Sequence, residues 1–137
     1  LNDNMGSYVA DQVSKLMTKK RIHVVDANIL IMGLTFKENC PDLRNTRVVD
    51  LVKEFEGFNC NVDVYDPWVD KDEAIHEYNI KPIDKPVEGK YDAILLAVAH
   101  NKFKALSVEQ IRAYGKGSHI LYDIKYLIKA NESDGRL

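Results

Sequence analysis

No apolar run in this sequence approaches the roughly 20 residues that span a bilayer. Residues 1–20 also lack the charged start and apolar centre of a secretory signal, so a soluble, cytoplasmic protein with no membrane partner is expected. An excess of basic charge is missing too. The 19 Lys and Arg stand against 21 Asp and Glu, a formal net charge of −2, which gives no broad positive field of the kind that tracks nucleic acid. Cysteine is scarce: Cys40 and Cys60 make no metal-ligating spacing and are too few for a disulfide framework, so reduced thiols and no metal are expected. Glycine is scarce where it would matter most. A dinucleotide fingerprint needs glycines at three fixed places so that the backbone can approach a pyrophosphate, and after the first expected strand there is only Gly33. A phosphoacceptor receiver would need an acidic pair after the first strand and an aspartate after the middle one. Gly33-Leu34 and Ala99-His100 stand there instead, and that reading falls.

What is present suffices for one domain and not for two. A chain of 137 residues with 45% hydrophobic content can bury roughly two-thirds of its unfolded surface. Asn2, Asp3 and Asn4 are placed to cap a helix whose apolar positions Met5, Tyr8, Val9, Val13, Leu16 and Met17 recur at helical spacing, closed by Lys19, Lys20 and Arg21. The chain enters this helix almost at once, which suggests a piece of something longer. Residues 27–32 and 91–98 are apolar without alternation and read as strands buried on both faces. Residues 61–65 and 118–122 read as further strands, and 80–86 as a connection with room for an edge strand, since Pro82 and Pro86 cannot join a central ladder. Helices are expected from about Asn45 or Thr46 to Gly57, over 70–78, as a turn at 101–103, and from a Ser107 cap to Tyr114. A last turn at 126–129 precedes residues 131–137, polar enough to fray. Strands alternating with helices imply an α/β fold: a Rossmann-like, doubly wound, mostly parallel sheet with helices on both faces.

Chemistry concentrates just past the first strand, where a glycine turn leads into a polar loop carrying Lys37, Asp42, Arg44 and Arg47. In open α/β sheets ligands bind at the carboxyl ends of strands, and cations fixed there suit a phosphate or carboxylate. Taken alone, Lys37 is more often an exposed lysine than a contact, and Arg44 and Arg47 are equally placed to pair with Asp42 and Asp50. Asp66 ends the second strand, the place of a ribose-binding acid, but it comes roughly a dozen residues too late for that motif. A turn cap before Pro67 is the stronger reading. His100 follows the middle strand, with a loop hydrogen bond as its default and a site role as the sharper option. No His or Lys is spaced to activate Cys40, and Cys60 reads as a small buried residue.

The run Gly33-Leu34-Thr35-Phe36-Lys37-Glu38-Asn39-Cys40-Pro41-Asp42-Leu43-Arg44-Asn45-Thr46, followed by Val62-Asp63-Val64-Tyr65-Asp66-Pro67, closely resembles the C-terminal domain of the NAD-dependent nucleotide-sugar 6-dehydrogenases, the UDP-glucose and GDP-mannose dehydrogenase family. Tyr122-Asp123-Ile124-Lys125 looks like that domain's last strand, and FKENCPDLRNT looks most like the branch acting on UDP-N-acetylhexosamines in surface-polysaccharide synthesis. The resemblance implies that residues 1–20 end an interdomain connecting helix, 21–130 form the nucleotide-sugar-binding domain and 131–137 are a polar tail. It implies that Phe36 and Lys37 meet the nucleotide sugar, that Arg44 reaches across an interdomain cleft to NAD, and that Lys125 stands near the substrate. Relatives often follow that last residue with glycine, whereas this chain has Tyr126.

The family reaction makes two successive hydride transfers from the sugar C6 alcohol to two NAD molecules, through a cysteine-bound thiohemiacetal and thioester that water releases as the uronate. The nucleophile and the NAD fingerprint belong to upstream domains. The resemblance therefore implies a chain with no catalytic residue of its own and no turnover alone, a UDP-sugar ligand, N-terminal and central domains of the same polypeptide as partners, and a homodimer at full length. The alternative is a non-catalytic, nucleotide-responsive or protein-interaction module of the same fold, using the loop for a protein carboxylate.

Overall fold

Four consecutive apolar side chains, Ile29 to Met32, are fully shielded from solvent in the computed structural model, which describes residues 5–137. A strand apolar on both sides belongs in the middle of a sheet. β1 (Asn28–Met32) accordingly lies between β2 (Asn61–Tyr65) and β3 (Tyr91–Leu96). Beyond β3 come β4 (Gly115–Asp123) and β5 (Gly135–Arg136), giving the order β2-β1-β3-β4-β5. Each pairing is parallel, so the sheet is wholly rather than mostly parallel. The connections from β1 leave for β2 on one side while β3 lies on the other, which opens a crevice at the carboxyl ends of β1 and β3.

Alternation along β1 sorts the core into two layers. Ile29 and Ile31 face α1 (Met5–Lys19) and α2 (Val48–Gly57), which contribute Val9, Val13, Met17, Leu51, Val52 and Phe55. Leu30 and Met32 face the other side, covered by Phe103 of α4 (Asn101–Lys104) and Ile111 of α5 (Val108–Arg112). α3 (Lys71–Tyr78), capped by the Asp70 carboxylate accepting from Glu73 N, adds Ala74 to the first layer. Helices thus cover both faces, as their alternation with strands predicts. Within α1, Ala10 is buried where the expected stripe had Tyr8, which is exposed. The cap expected from Asn2, Asp3 and Asn4 lies outside the described residues.

Several boundaries differ from the sequence-based expectations, each for a local reason. α2 begins at Val48 because Asn45 takes a left-handed φ of 63° and the Thr46 hydroxyl, donating to Leu34 O at 2.6 Å, accepts from Val48 N at 3.2 Å. No strand forms over 80–86. Only Ile83 N reaches the sheet there, donating to Val64 O at 2.9 Å. β4 starts at Gly115, earlier than expected, because an irregularity shifts its register from Tyr91↔Gly115 to Ala93↔Ile120. The segment 131–137 does not fray. A 3-10 turn (Ala130–Glu132) leads to β5, and Asp134 accepts from Leu121 N at 2.7 Å and from Arg112 at 3.1 Å, so its polarity is satisfied by the protein rather than by water.

Candidate functional site at the carboxyl ends of the strands

Gly33 is the first residue past β1, and the neighbouring strand end explains why it is glycine. Its φ is +110°, and a Cβ there would lie 2.6 Å from Val98 Cβ, so the space a side chain would need is filled by the chain leaving β3. The following loop is fastened by polar contacts. Asp66 Oδ2 accepts from Leu34 N at 2.7 Å and Thr35 N at 3.0 Å, while Oδ1 accepts from Trp68 N at 2.7 Å. Phe36 N donates to Asp42 O at 2.7 Å, and Asn101 N donates to Asn39 Oδ1 at 2.9 Å.

Asp66 is buried, which by itself raises its pKa. The hydrogen bonds from His100, Leu34, Thr35 and Trp68 outweigh that and hold the carboxyl below its ordinary value. Both its oxygens are engaged inside the protein, so Asp66 caps the turn, as its place before Pro67 predicts. His100 is likewise fully buried and hydrogen-bonded to the loop, its default reading.

A buried carboxylate also shapes the far side of the site. Asp123 accepts from the backbone of Lys125 at 3.2 Å, Leu127 at 3.1 Å and Ile128 at 3.0 Å, folding the chain back after β4. Tyr126 sits in that turn at φ 59°. The left-handed backbone that suits glycine is therefore present in this chain with a tyrosine in it, at a cost of roughly 1–2 kcal/mol. The Arg136 guanidinium lies 3.8 Å from the centre of the Tyr126 ring, and the hydroxyl donates to Leu137 O.

Between these loops and the start of α2 lies a cleft of about 450 Å³, lined by Phe36, Thr46, Arg47, Val98, Ile124 and Lys125 among others. Phe36, 51% exposed, offers an apolar face at its rim. Of the four residues singled out by resemblance, Phe36 and Lys125 both line the cleft, and Lys37 and Arg44 are not in its lining. Arg44 extends into solvent with its Nε 3.1 Å and Nη2 3.2 Å from the two oxygens of Asp42. Those hydrogen bonds hold the Asp42 carboxyl below the usual carboxylate range and raise Arg44 further above its own. Arg47, which the sequence offers as a loop cation or as a pairing partner of the acids at the helix start, lines the cleft. Its place at the start of the helix was legible in the sequence, but its place in the cleft was not. Two cations beside an aromatic face suit an anionic ligand with a flat or apolar portion.

Other chemistries find less here. Among the described residues no group of His, Cys, Asp and Glu side chains is placed to hold a metal, and no helix is long and apolar enough to cross a membrane. Cys60 donates to Val24 O at 3.1 Å, and burial pushes its thiol up to about 11, the wrong direction for a nucleophile.

The model of the UDP-glucose/GDP-mannose dehydrogenase family, UDP binding domain, matches residues 30–130. The chain is 58% identical over its full 137 residues to UDP-N-acetyl-D-glucosamine 6-dehydrogenase of Pseudomonas aeruginosa and 53% identical to the protein of that name from Salmonella typhi, covering 32% of each. The solved structure of the UDP-D-ManNAc dehydrogenase from Pyrococcus horikoshii superposes with a TM-score of 0.77 at 27% identity, over 98% of this chain and 31% of that one. The chain thus spans about a third of the length of the relatives it matches. Because the matched residues run from β1 through the loop and cleft to the turn beyond Lys125, the chain belongs to the UDP-glucose/GDP-mannose dehydrogenase family and corresponds to its UDP binding domain.

Proposed function

We propose that this chain is the nucleotide-sugar-binding C-terminal domain of an NAD-dependent UDP-sugar 6-dehydrogenase that converts a UDP-N-acetylhexosamine to its uronate by two successive hydride transfers, for surface polysaccharide biosynthesis. The observation that carries the reading is the cleft at the β1 and β3 ends, where Phe36, Arg47 and Lys125 offer one aromatic face and two cations to an anionic ligand in a member of this family. Identity of 58% to a UDP-N-acetyl-D-glucosamine 6-dehydrogenase favours the acetylhexosamine branch.

In this reading residues 21–130 grip the nucleotide sugar, residues 1–20 end the helix that enters from a central domain, and 131–137 close the sheet edge. Lys125 and Arg47 neutralise the diphosphate. Lys37, on the exposed loop, meets substrate oxygens once the N-terminal and central domains close over the cleft. The dinucleotide is held mainly by the N-terminal domain, with Arg44 offering it the guanidinium N–H groups that Asp42 leaves unused. Oxidation itself belongs to those other domains of a polypeptide that dimerises, and this chain alone binds without turnover.

Titration calorimetry with UDP on the full-length protein tests the assignment. Losing one charge-assisted hydrogen bond, about 1.5–3 kcal/mol, should weaken binding roughly tenfold or more in Lys37→Ala and in Lys125→Ala. Unchanged affinity in both variants refutes the site. A wild-type protein whose melting temperature UDP, UDP-sugars and NAD all leave unmoved refutes nucleotide binding and returns the loop to a protein partner.

A further inference from the structure

Between Thr35 and Leu43 no side chain of the loop is buried, so its shape rests on hydrogen bonds rather than on packing. Asn39, near its tip, has a φ of 54°, a region asparagine enters more readily than other non-glycine residues, and its backbone amide is held there. What holds it comes from the end of β3. The Asn39 amide donates to His100 Nδ1 at 2.9 Å. An amide N–H can only donate, so Nδ1 carries no proton and the ring proton sits on Nε2. Nε2 then donates to Asp66 Oδ2 at 2.9 Å and stands 3.2 Å from Thr35 Oγ1, whose own hydroxyl donates to Lys37 O at 3.1 Å. One neutral imidazole, fully buried, therefore ties residues 35, 37 and 39 to the turn after β2. Phe103 meets the ring edge-on with centroids 5.4 Å apart, which fixes the ring plane.

We propose that His100 is a positioning residue: held as the Nε2–H tautomer, it sets the loop that presents Phe36 and Lys37 without itself reaching the cleft. That the loop presents them to a UDP-sugar rests on the function proposed above. A doubly protonated ring would oppose two N–H groups at 2.9 Å, so the contact to Asn39 exists only with a neutral imidazole. The two halves of the clamp are separable by substitution. A glutamine reaches the place of Nε2 and can still donate to Asp66, but leaves the Asn39 N–H without its acceptor. An asparagine puts an oxygen near the place of Nδ1, but no donor reaches Asp66.

The test uses the full-length protein. In His100→Gln, loss of a net hydrogen bond predicts faster amide exchange over 36–42, weaker UDP binding and a higher KM for the UDP-sugar, each by about fivefold, with KM for NAD within about twofold. His100→Asn is expected to keep loop protection and UDP affinity while melting earlier. In the wild type, 15N spectra of labelled histidine should show the His100 proton on Nε2, a readout that needs no variant to fold. A proton on Nδ1, equal loop exchange in wild type and His100→Gln, or KM values that rise alike for both substrates each overturn the proposal. If the wild type binds no UDP, the proposed function fails on its own, while the tautomer and the exchange rates still decide the clamp.

Discussion

Replacing Gly33 with alanine separates two reasons for a glycine at the end of β1. If the residue exists to let a phosphate approach, alanine should cost affinity and little stability. The geometry says the reverse. A φ of +110° is strained for any L side chain by roughly 1–3 kcal/mol. The new methyl would also meet Val98 Cβ at 2.6 Å, Cγ2 at 2.7 Å and N at 2.8 Å. Carbon atoms rest about 3.5–4.0 Å apart, so each contact is about 1 Å short, and overpacking of that kind costs about 1–3 kcal/mol. Val98 cannot rotate clear, because its Cβ and backbone nitrogen do not move with its rotamer, and the neighbouring Ala97 N is tied to Met32 O at 2.9 Å. Together these predict a loss of about 2–6 kcal/mol, a large share of the 5–15 kcal/mol typical of a domain, and a melting temperature lower by roughly 7–20 °C. Urea unfolding followed by circular dichroism should show a lower midpoint with an unchanged slope. Val98→Ala should not rescue Gly33→Ala, since it keeps the offending Cβ, whereas Val98→Gly should recover part of the loss. A cost under about 1 kcal/mol, or rescue by Val98→Ala, refutes the reasoning.

Three further outcomes follow from features near the site. The Asp66 carboxyl is held below its unfolded value of about 3.9, so its contribution is complete above that pH and is lost as the pH falls through the folded value. Asp66→Asn should cost about 3 kcal/mol at pH 7 and flatten the acid limb of the urea midpoint against pH; an unchanged limb would contradict it. Tyr126→Gly should leave stability within about 1 kcal/mol, because relief of φ 59° offsets the lost ring contact, while Tyr126→Val should cost more than about 1.5 kcal/mol, read by thermal melts. With its thiol pushed up to about 11 by burial, and secondarily by Asp92, Cys60 should resist iodoacetamide at pH 8 in the native protein. Mass spectrometry should then find the alkyl group on half-exposed Cys40 alone.

The central strands were legible because β1 and β3 are buried on both faces and must therefore be continuously apolar. β5 was not, since it is only Gly135 and Arg136, and the Asp134 before them is satisfied by Arg112 and by the backbone of Leu121, partners 22 and 13 residues away. The loop was located by its glycine and charges, yet which arginine lines the cleft depends on Asn45 and Thr46 winding the chain, and residue spacing does not encode that. Asp66 and His100 were each given their bland reading correctly. Their pairing, 34 residues apart, emerges only when β2 and β3 are set on either side of β1.

Both margins of the sheet are blunted, and this bears on how the protein behaves at high concentration. β5 offers only two residues to a would-be neighbour. At the opposite margin Ile83 already occupies one carbonyl of β2, and Lys90 bridges to Asp63 at 2.9 Å beside it. A foreign strand laid along either side finds too short a run of open backbone to template stacking, so self-association through cross-chain ladders is disfavoured by construction.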